Sequence, residues 1–293
     1  MSRVIALVSG AEARDLDTDL PYLSRALGDR GVITEIVDWD NASVDWSRFS
    51  MAIVRSPWDY HRRYPEFLAW LDKVSAVTTL RNSADIIRWN TNKEYLAELV
   101  EAKIGVIPTT FVRTAEDLVT ITNEGMLERD IVVKPTVSAG SNNTERHEES
   151  PVKAAAHVGF LLDAGLVAMV QPYQRFIDER GETGMVYFNG QLSHSFRKGA
   201  ILATNENQEN ELFVEEEITP RTASAQEREL GEEVMTFVKK KFGEYPLYAR
   251  VDVVRGSAGV PVVMELELAE PSFFLQVDHE APSRFASAVL ARR

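Results

Sequence analysis

The runs LYARVDVV, residues 247–254, and VPVVMELEL, residues 260–268, decide how this chain folds, because each alternates charged with apolar side chains and a glycine-containing turn joins them. Side chains of a strand point to opposite faces in turn. Arg250 and Asp252 therefore share a face that Val251 and Val253 do not, and Glu265 and Glu267 oppose Met264, Leu266 and Leu268. Antiparallel pairing brings Asp252 near both glutamates. Carboxylates at such close quarters repel unless a proton, a basic side chain or a metal intervenes. Magnesium meets that need, since it takes a few carboxylate oxygens and completes its shell with phosphate and water. A sheet with one solvated face produces the same alternation, so the reading turns on what the rest of the chain offers such a cluster.

Working outward, residues 184–188 and 191–196 flank Asn189-Gly190, the dipeptide suited to a type I′ hairpin. The polar stretch 204–217 reads as a loop whose part 204–212 could serve as a lid, residues 223–242 as a helix, and residues 282–290 as a final helix. Further upstream the pattern is α+β: a helix over 91–102, where Thr91 and Glu94 have capping-box spacing, a strand at 109–112, a helix at 115–127, a strand at 131–133, a helix at 152–162 and a strand at 167–170. The first third alternates strand and helix. Apolar runs at 4–8, 32–37, 51–54 and 77–80 alternate with helical spacing at 20–27 and 64–74, which predicts a parallel sheet covered by helices. All five tryptophans lie between Trp39 and Trp89, a compositional shift that puts a boundary near residue 90. The expected fold is α/β followed by α+β, in three lobes: 1–90, 91–170 and 171–293.

Cations that could answer the carboxylates stand elsewhere. The apolar run 131–133 delivers Lys134 into a loop of small polar residues that includes Ser138, Gly140 and Ser141. Backbone N–H groups and small hydroxyls approach phosphate oxygens closely, and the lysine adds a compact charge. The loop is not a GxxxxGK[ST] phosphate loop, and a strand-end lysine before an ordinary turn is the bland alternative. Lys93 falls in the first turn of the expected helix, where the macrodipole disfavours a cation unless an anion sits there. Gln171-Pro172-Tyr173 follows an apolar strand and could form a hinge that reads an adenine edge, with Glu182 accepting ribose hydroxyls. Arg197 and Lys198 end the first hairpin. Alternation puts them on opposite faces, so at most one points inward.

Totals narrow the classes. Lys and Arg number 32 against 45 Asp and Glu, a net charge of −13 that would repel a phosphate backbone. Nucleic acid is therefore not an expected partner. The absence of cysteine removes disulfides and thiolate metal sites and fits a reducing cytoplasm. The start lacks a signal-peptide core, and no apolar run approaches a membrane span. A homo-oligomer remains open.

The order of these parts resembles the ATP-grasp superfamily: Lys93, Lys134 with its loop, Gln171-Pro172-Tyr173, Glu182, Arg250-x-Asp252 and Glu265-x-Glu267, with residues 1–90 similar to the amino-terminal lobe that precedes it. The resemblance implies that Lys93, Lys134, Ser138, Gly140, Ser141, Gln171, Tyr173 and Glu182 bind ATP, and that Asp252, Glu265 and Glu267 hold one or two magnesium ions. Many members have asparagine where this chain has Glu267. It further implies a ligase in which ATP converts a small amino-acid-like carboxylate into an acyl phosphate that an amine attacks, with Arg250, Lys198 or Arg197 meeting the developing charge. Residues 55–60, 81–83, 88–90 and 267–272 resemble a branch that includes the cyclo-ligase of D-cycloserine formation, which closes O-ureido-D-serine on its own activated carboxyl group. On that basis Asp59 and Glu270 would meet an ammonium, Arg55 a carboxylate, and Ser272 would line the same pocket. An intermolecular carboxylate-amine ligase of dipeptide or glutathione-synthetase type, a small-molecule kinase and a non-catalytic nucleotide-binding regulator are the alternatives.

Overall fold

The computed structural model describes residues 4–200 and 217–293. The lid expected at 204–212 lies outside the described residues. The chain opens with β1 (Val4–Ser9), α1 (Asp19–Gly28), β2 (Ile33–Asp38), β3 (Met51–Ser56), α2 (Tyr64–Ser75) and β4 (Leu80–Arg81). These four strands form a parallel sheet in the order β2-β1-β3-β4. Ile5, Ala6, Leu7 and Val8 are all fully buried, as expected of a sheet covered on both faces. Helix α2 buries Phe67, Trp70, Leu71 and Val74 at helical spacing. Phe67 and Trp70 meet Trp39 at 5.4 and 6.4 Å between ring centroids, so most of the tryptophan enrichment is one aromatic core under this sheet.

The helix expected over 91–102 is shorter, α4 (Tyr95–Glu101), and a separate helix that the sequence reading did not mark, α3 (Ala84–Asn90), precedes it. Thr91 caps the end of α3 rather than the start of α4, and Asn92 accepts the Glu94 N–H at 3.1 Å. Lys93 therefore sits in the break between helices and not in a helical turn. A second sheet follows, built from β5 (Thr110–Val112), β6 (Ile131–Pro135), β7 (Glu145–His147) and β8 (Ala168–Pro172) in the order β5-β8-β6-β7, with α5 (Ala115–Asn123) and α6 (Pro151–Asp163) packed on it.

The third sheet begins after α7 (Phe176–Arg180) with β9 (Glu182–Phe188) and β10 (Gln191–Lys198), joined at Asn189 and Gly190, whose φ angles of 50° and 79° are those a type I′ turn demands. After β11 (Ile218–Pro220) and α8 (Ala225–Phe242) come β12 (Tyr248–Arg255), β13 (Pro261–Glu267) and α9 (Ala281–Leu290). The antiparallel order is β11-β10-β9-β12-β13. Ser224 and Glu227 form a capping box at the start of α8, and Gly243 ends it at φ 80°. Helix α9 packs against α1 on one side and β9 and β10 on the other, joining the first sheet to the third. No helix among the described residues is long and apolar enough to cross a membrane.

Strand β13 is an edge, and its outer peptide groups need partners. Side chains from the α3–α4 region supply them. Asn90 donates to the Leu266 carbonyl at 2.7 Å and accepts the Leu268 N–H at 2.5 Å, while the Tyr95 hydroxyl accepts the Leu266 N–H at 2.8 Å. Asn82 donates to the Leu268 and Tyr248 carbonyls at 2.7 and 2.9 Å and accepts the Leu247 N–H at 2.6 Å. Farther down, the Val263 N–H donates to the Gly105 carbonyl at 2.8 Å and the Ile107 N–H to the Val263 carbonyl at 3.0 Å.

Asn90→Ala leaves a buried carbonyl and a buried N–H unpaired, and should lower unfolding free energy by about 2 to 3 kcal/mol. Exposed Asn123→Ala should change it by no more than about 0.5 kcal/mol. Urea denaturation of both variants measures the contrast; equal midpoints would show that these side chains do not hold the edge.

Candidate active site

A cleft enclosing about 1320 Å³ of solvent-open space lies between the second and third sheets. Near the end of strand β6, Lys134 stands at the rear of the cleft and is 6% exposed. Lys93 reaches the same place from the helix break. Its backbone N–H donates to the Thr136 carbonyl at 2.8 Å, and its ammonium to the Ser138 carbonyl at 3.0 Å, with Glu265 at 3.2 Å. One lysine thus joins the loop 136–144 to the carboxylate strand. In that loop Gly140, Ser141 and Asn143 have φ of 60°, 59° and 52°, and Asn142 and Thr144 donate backwards to the Ala139 and Ser141 carbonyls. Such left-handed residues turn backbone N–H groups together into an anion-receiving concavity.

Above the loop, Val132, Pro172, Ile177, Ile107 and Met264 make an apolar slot. Gln171 is held there by its bond to the Thr109 hydroxyl at 2.8 Å, and the Tyr173 N–H donates to the Asp130 carbonyl at 2.9 Å. Arg146 stacks over the Tyr173 ring at 3.6 Å. A flat heteroaromatic ring fits such a slot, with backbone groups at its edge. Glu182 and Lys198 stand at 3.6 Å from one another on neighbouring strands, and Lys198 is also 3.5 Å from Asp252.

The opposite wall is acidic. Glu265 and Glu267 project from β13, and Glu270 follows it. Arg250 donates to Asp252 through two nitrogens at 2.9 and 2.8 Å, to the Ser272 carbonyl at 3.1 Å, and to Glu267. Burial alone would raise the Glu265 carboxyl, but Lys93, Lys134, Lys198 and Arg250 outweigh it and hold it down to about 2. Glu267 is pushed up to about 8 by burial, with Arg250 opposing and Glu265, Asp252 and Glu270 adding repulsion. Burial likewise raises Glu270 to about 7 against the pull of Lys93 and a hydrogen bond from Tyr60. Burial lowers the Lys134 ammonium, a shift that Glu265 and Glu182 oppose and Lys93 and Lys198 reinforce.

The donor set fits magnesium. Two strand glutamates are directed at one space, and Glu267 and Glu270, raised mainly by burial and further by neighbouring carboxylates, are groups that a divalent cation would favour in their ionised form. When bound, magnesium would supply charge compensation for phosphate oxygens at Glu265 and Glu267.

Of the residues singled out in the sequence, the cleft brings together Lys93, Lys134, Ser138, Gly140, Ser141, Gln171, Tyr173, Glu182, Lys198, Arg250, Glu265, Glu267, Glu270 and Ser272. Asp252 does not reach its surface; it is 1% exposed beneath Arg250. Arg197 points to the opposite face of β10 from Lys198, bonded to the Arg180 carbonyl and to Glu217. The expectation that Arg55 and Asp59 meet substrate is corrected. Arg55 is 0% exposed, donates to the Pro271 carbonyl at 2.9 Å and lies 3.7 Å over the Phe273 ring, with Asp19 at 3.6 Å. It fastens the loop carrying Glu270 and Ser272 from behind. Asp59 accepts from Trp39 and Arg63, both at 2.9 Å. The stretch 55–60 was singled out in the sequence without a role for Trp58, which lines the cleft and donates to the Glu270 carbonyl at 3.1 Å, or for Tyr60, whose hydroxyl meets the Glu270 carboxyl. The signal for both was their place in an aromatic stretch after a buried parallel strand.

Residues 5–82 match the family described as D-cycloserine synthetase DcsG, N-terminal domain. The whole chain is similar to the cycloserine biosynthesis protein DcsG of Streptomyces lavendulae, 35% identical over 296 residues, covering 99% of this chain and 98% of that protein. The crystal structure of D-cycloserine synthetase DcsG superposes with a TM-score of 0.91 at 35% identity, covering 99% of each chain. D-alanyl-alanine synthetase A from Vibrio cholerae shares the fold at a TM-score of 0.71 and 13% identity, over 99% of this chain and 96% of that one.

The raised carboxyls fix a pH dependence. Above about pH 4.5 the unfolded chain has ionised both glutamates, whereas the folded protein without ligand keeps their protons until about 7 and about 8. The folded state binds more protons across that window, so stability falls as pH rises through it and levels off beyond. Melting in EDTA from about pH 5 to about pH 9 should show this decline, and Glu267→Gln should flatten its upper part. A wild-type melting point that rises through the window would refute the charge assignment.

Proposed function

We propose that this chain, which belongs to the D-cycloserine synthetase family of ATP-grasp ligases, closes O-ureido-D-serine into D-cycloserine. The chain is an ATP-dependent carbon-nitrogen bond-forming ligase of ATP-grasp fold. Its end-to-end similarity to a D-cycloserine synthetase, with lysines and carboxylates facing one another across a single cleft, carries the more specific reading. We read the chain as a cytoplasmic enzyme of three lobes, residues 1–90, 91–170 and 171–293, acting on a small amino-acid-like substrate.

In this reading the adenine lies in the slot beside Gln171 and Tyr173, with Glu182 toward the ribose. Lys93, Lys134 and the loop at Ser138, Gly140 and Ser141 receive the phosphates. Glu265 and Glu267 would hold magnesium, with Asp252 beneath them. The substrate carboxylate attacks the γ-phosphoryl group, the bond to ADP breaks, and an acyl phosphate forms. Positive charge from Lys93, Lys134 and Lys198 offsets the charge spreading over the phosphoryl oxygens. The nitrogen bound to the substrate's side-chain oxygen then attacks the acyl carbon, closing the ring as phosphate leaves. The compositions of substrate and product require that the carbamoyl group also depart with a water molecule, as carbon dioxide and ammonia. Arg250 is suited to the acyl oxygen because its guanidinium already points at the Ser272 carbonyl from beside Glu267. Glu270, backed by Tyr60 and Trp58, is suited to the substrate ammonium.

Incubation with magnesium, ATP and O-ureido-D-serine should yield ADP, phosphate and D-cycloserine by mass spectrometry. Glu265→Gln should reduce that rate by at least about 100-fold. Glu270→Gln should raise KM for the amino acid by about 10-fold, with a smaller effect on kcat. Dipeptide formation from paired amino acids, with no turnover of O-ureido-D-serine, would replace cyclisation by intermolecular ligation.

A further inference from the structure

Outside the cleft, strand β7 and helix α6 bring together three metal-ligating side chains that the ligase reaction does not use. Glu145 and His147 lie two residues apart on β7, so they share a face, and α6 presents His157 to them. His147 Nε2 and His157 Nδ1 are 3.1 Å apart, with a Glu145 carboxylate oxygen 3.8 Å from the first and 3.9 Å from the second. The three ligand atoms lie within 4.8 Å of one another. Both imidazoles are nearly covered, at 5% and 6% side-chain exposure, whereas Glu145 is 54% exposed and can adjust its rotamer.

We propose that Glu145, His147 and His157 form a second metal site, for a zinc-class transition ion, which fastens the end of the phosphate-side loop to α6. A tetrahedral ion with bonds of about 2.0 to 2.2 Å spaces its ligands about 3.3 to 3.6 Å apart. The two nitrogens already stand within a few tenths of an ångström of that spacing, and the carboxylate needs a comparable inward shift. Two imidazole nitrogens and one carboxylate suit zinc, cobalt or nickel rather than magnesium, which takes oxygen ligands. Burial lowers both imidazoles, which favours the neutral ring that a metal ligand must be.

The position gives the site a consequence. The loop 136–144 runs straight into Glu145, and His157 also hydrogen-bonds the backbone of Asn143, one of the left-handed residues of that loop. A metal taking Nδ1 of His157 fixes the proton on its other nitrogen, the arrangement in which a ligating imidazole donates to a backbone carbonyl. Occupancy therefore ties loop and helix through one ion.

The test uses the full chain stripped with EDTA and titrated with cobalt(II), then with zinc in competition with a chromogenic chelator. One cobalt per chain with the visible bands of tetrahedral coordination is expected, displaced by zinc and not by magnesium. Glu145→Gln, at an exposed side chain whose replacement leaves folding intact, and His157→Gln should each weaken zinc binding by about 10-fold or more. Glu265→Gln should leave it unchanged. Zinc should also slow amide exchange at residues 138–147 in the wild type but not in Glu145→Gln. Binding no tighter in the wild type than in the His147→Gln, His157→Gln double variant would overturn the site, as would loss of zinc in Glu265→Gln with retention in Glu145→Gln. Unchanged exchange with zinc bound would overturn the fastening.

Discussion

Lys93, Lys134, Lys198 and Arg250 share one cleft with Glu182, Glu265, Glu267 and Glu270, and Asp252 lies just beneath its surface. Burial is the main reason that Glu267 and Glu270 hold their protons up to about 8 and about 7. Repulsion adds to it, since two carboxylates about 5 Å apart repel by about 3 kcal/mol at an effective dielectric of about 20. The lysines are not free to cancel the remainder, because Lys93 is already engaged with Glu265 and with the Ser138 carbonyl. A nucleotide entering with its magnesium would add negative charge beside Lys93, Lys134 and Lys198 and positive charge beside Glu265 and Glu267.

Keeping like charges together requires a scaffold that does not yield. Strand β13 has β12 on one side only, and the second side is built from Asn82, Asn90 and Tyr95, which serve its peptide groups as a neighbouring strand would. The loop after it is held in a comparable way. Asp19 accepts the N–H groups of Phe273 and Leu275 at 2.6 and 2.9 Å, and Arg55 takes the Pro271 carbonyl. Since Arg55 and Asp19 are both enclosed, removing either would leave the other as a buried charge without its counterion, a strongly destabilising state. The amino-terminal sheet thereby sets the position of Glu270 and Ser272 without presenting Arg55 to a substrate.

Local rules made the strands legible. Alternation marked β12 and β13, and Asn189-Gly190 marked the turn between β9 and β10. Lys134 was legible because an apolar strand delivered it into a loop, and the alternation at Arg197 and Lys198 left room for only one inward side chain. What stayed hidden depends on distant backbone. Nothing near Asn82 or Asn90 announces peptide partners around Leu266 and Leu268, and the spacing of Thr91 and Glu94 imitates a cap that the chain does not form. Arg55 misleads for the opposite reason. A charged residue ending an apolar strand reads as functional, whereas its counterion Asp19 and the ring of Phe273 come from far along the chain. Strand β7 is too short to carry a period, so the alignment of Glu145 with His147 acquires meaning only when α6 places His157 opposite.

The carboxylate at Glu267 changes what Arg250 can do. An amide at that position would accept a hydrogen bond but exert no net charge, and the guanidinium would belong to Asp252 alone. With Glu267 present, Arg250 is divided between two carboxylates and also reaches the Ser272 carbonyl. A divalent ion held by Glu265 and Glu267 would compete with the guanidinium for the Glu267 carboxylate, since Coulomb attraction to a divalent ion exceeds that to a delocalised monovalent one. Arg250 would keep its bonds to Asp252 and the Ser272 carbonyl, and the donor released from Glu267 would be available to an oxygen entering the cleft.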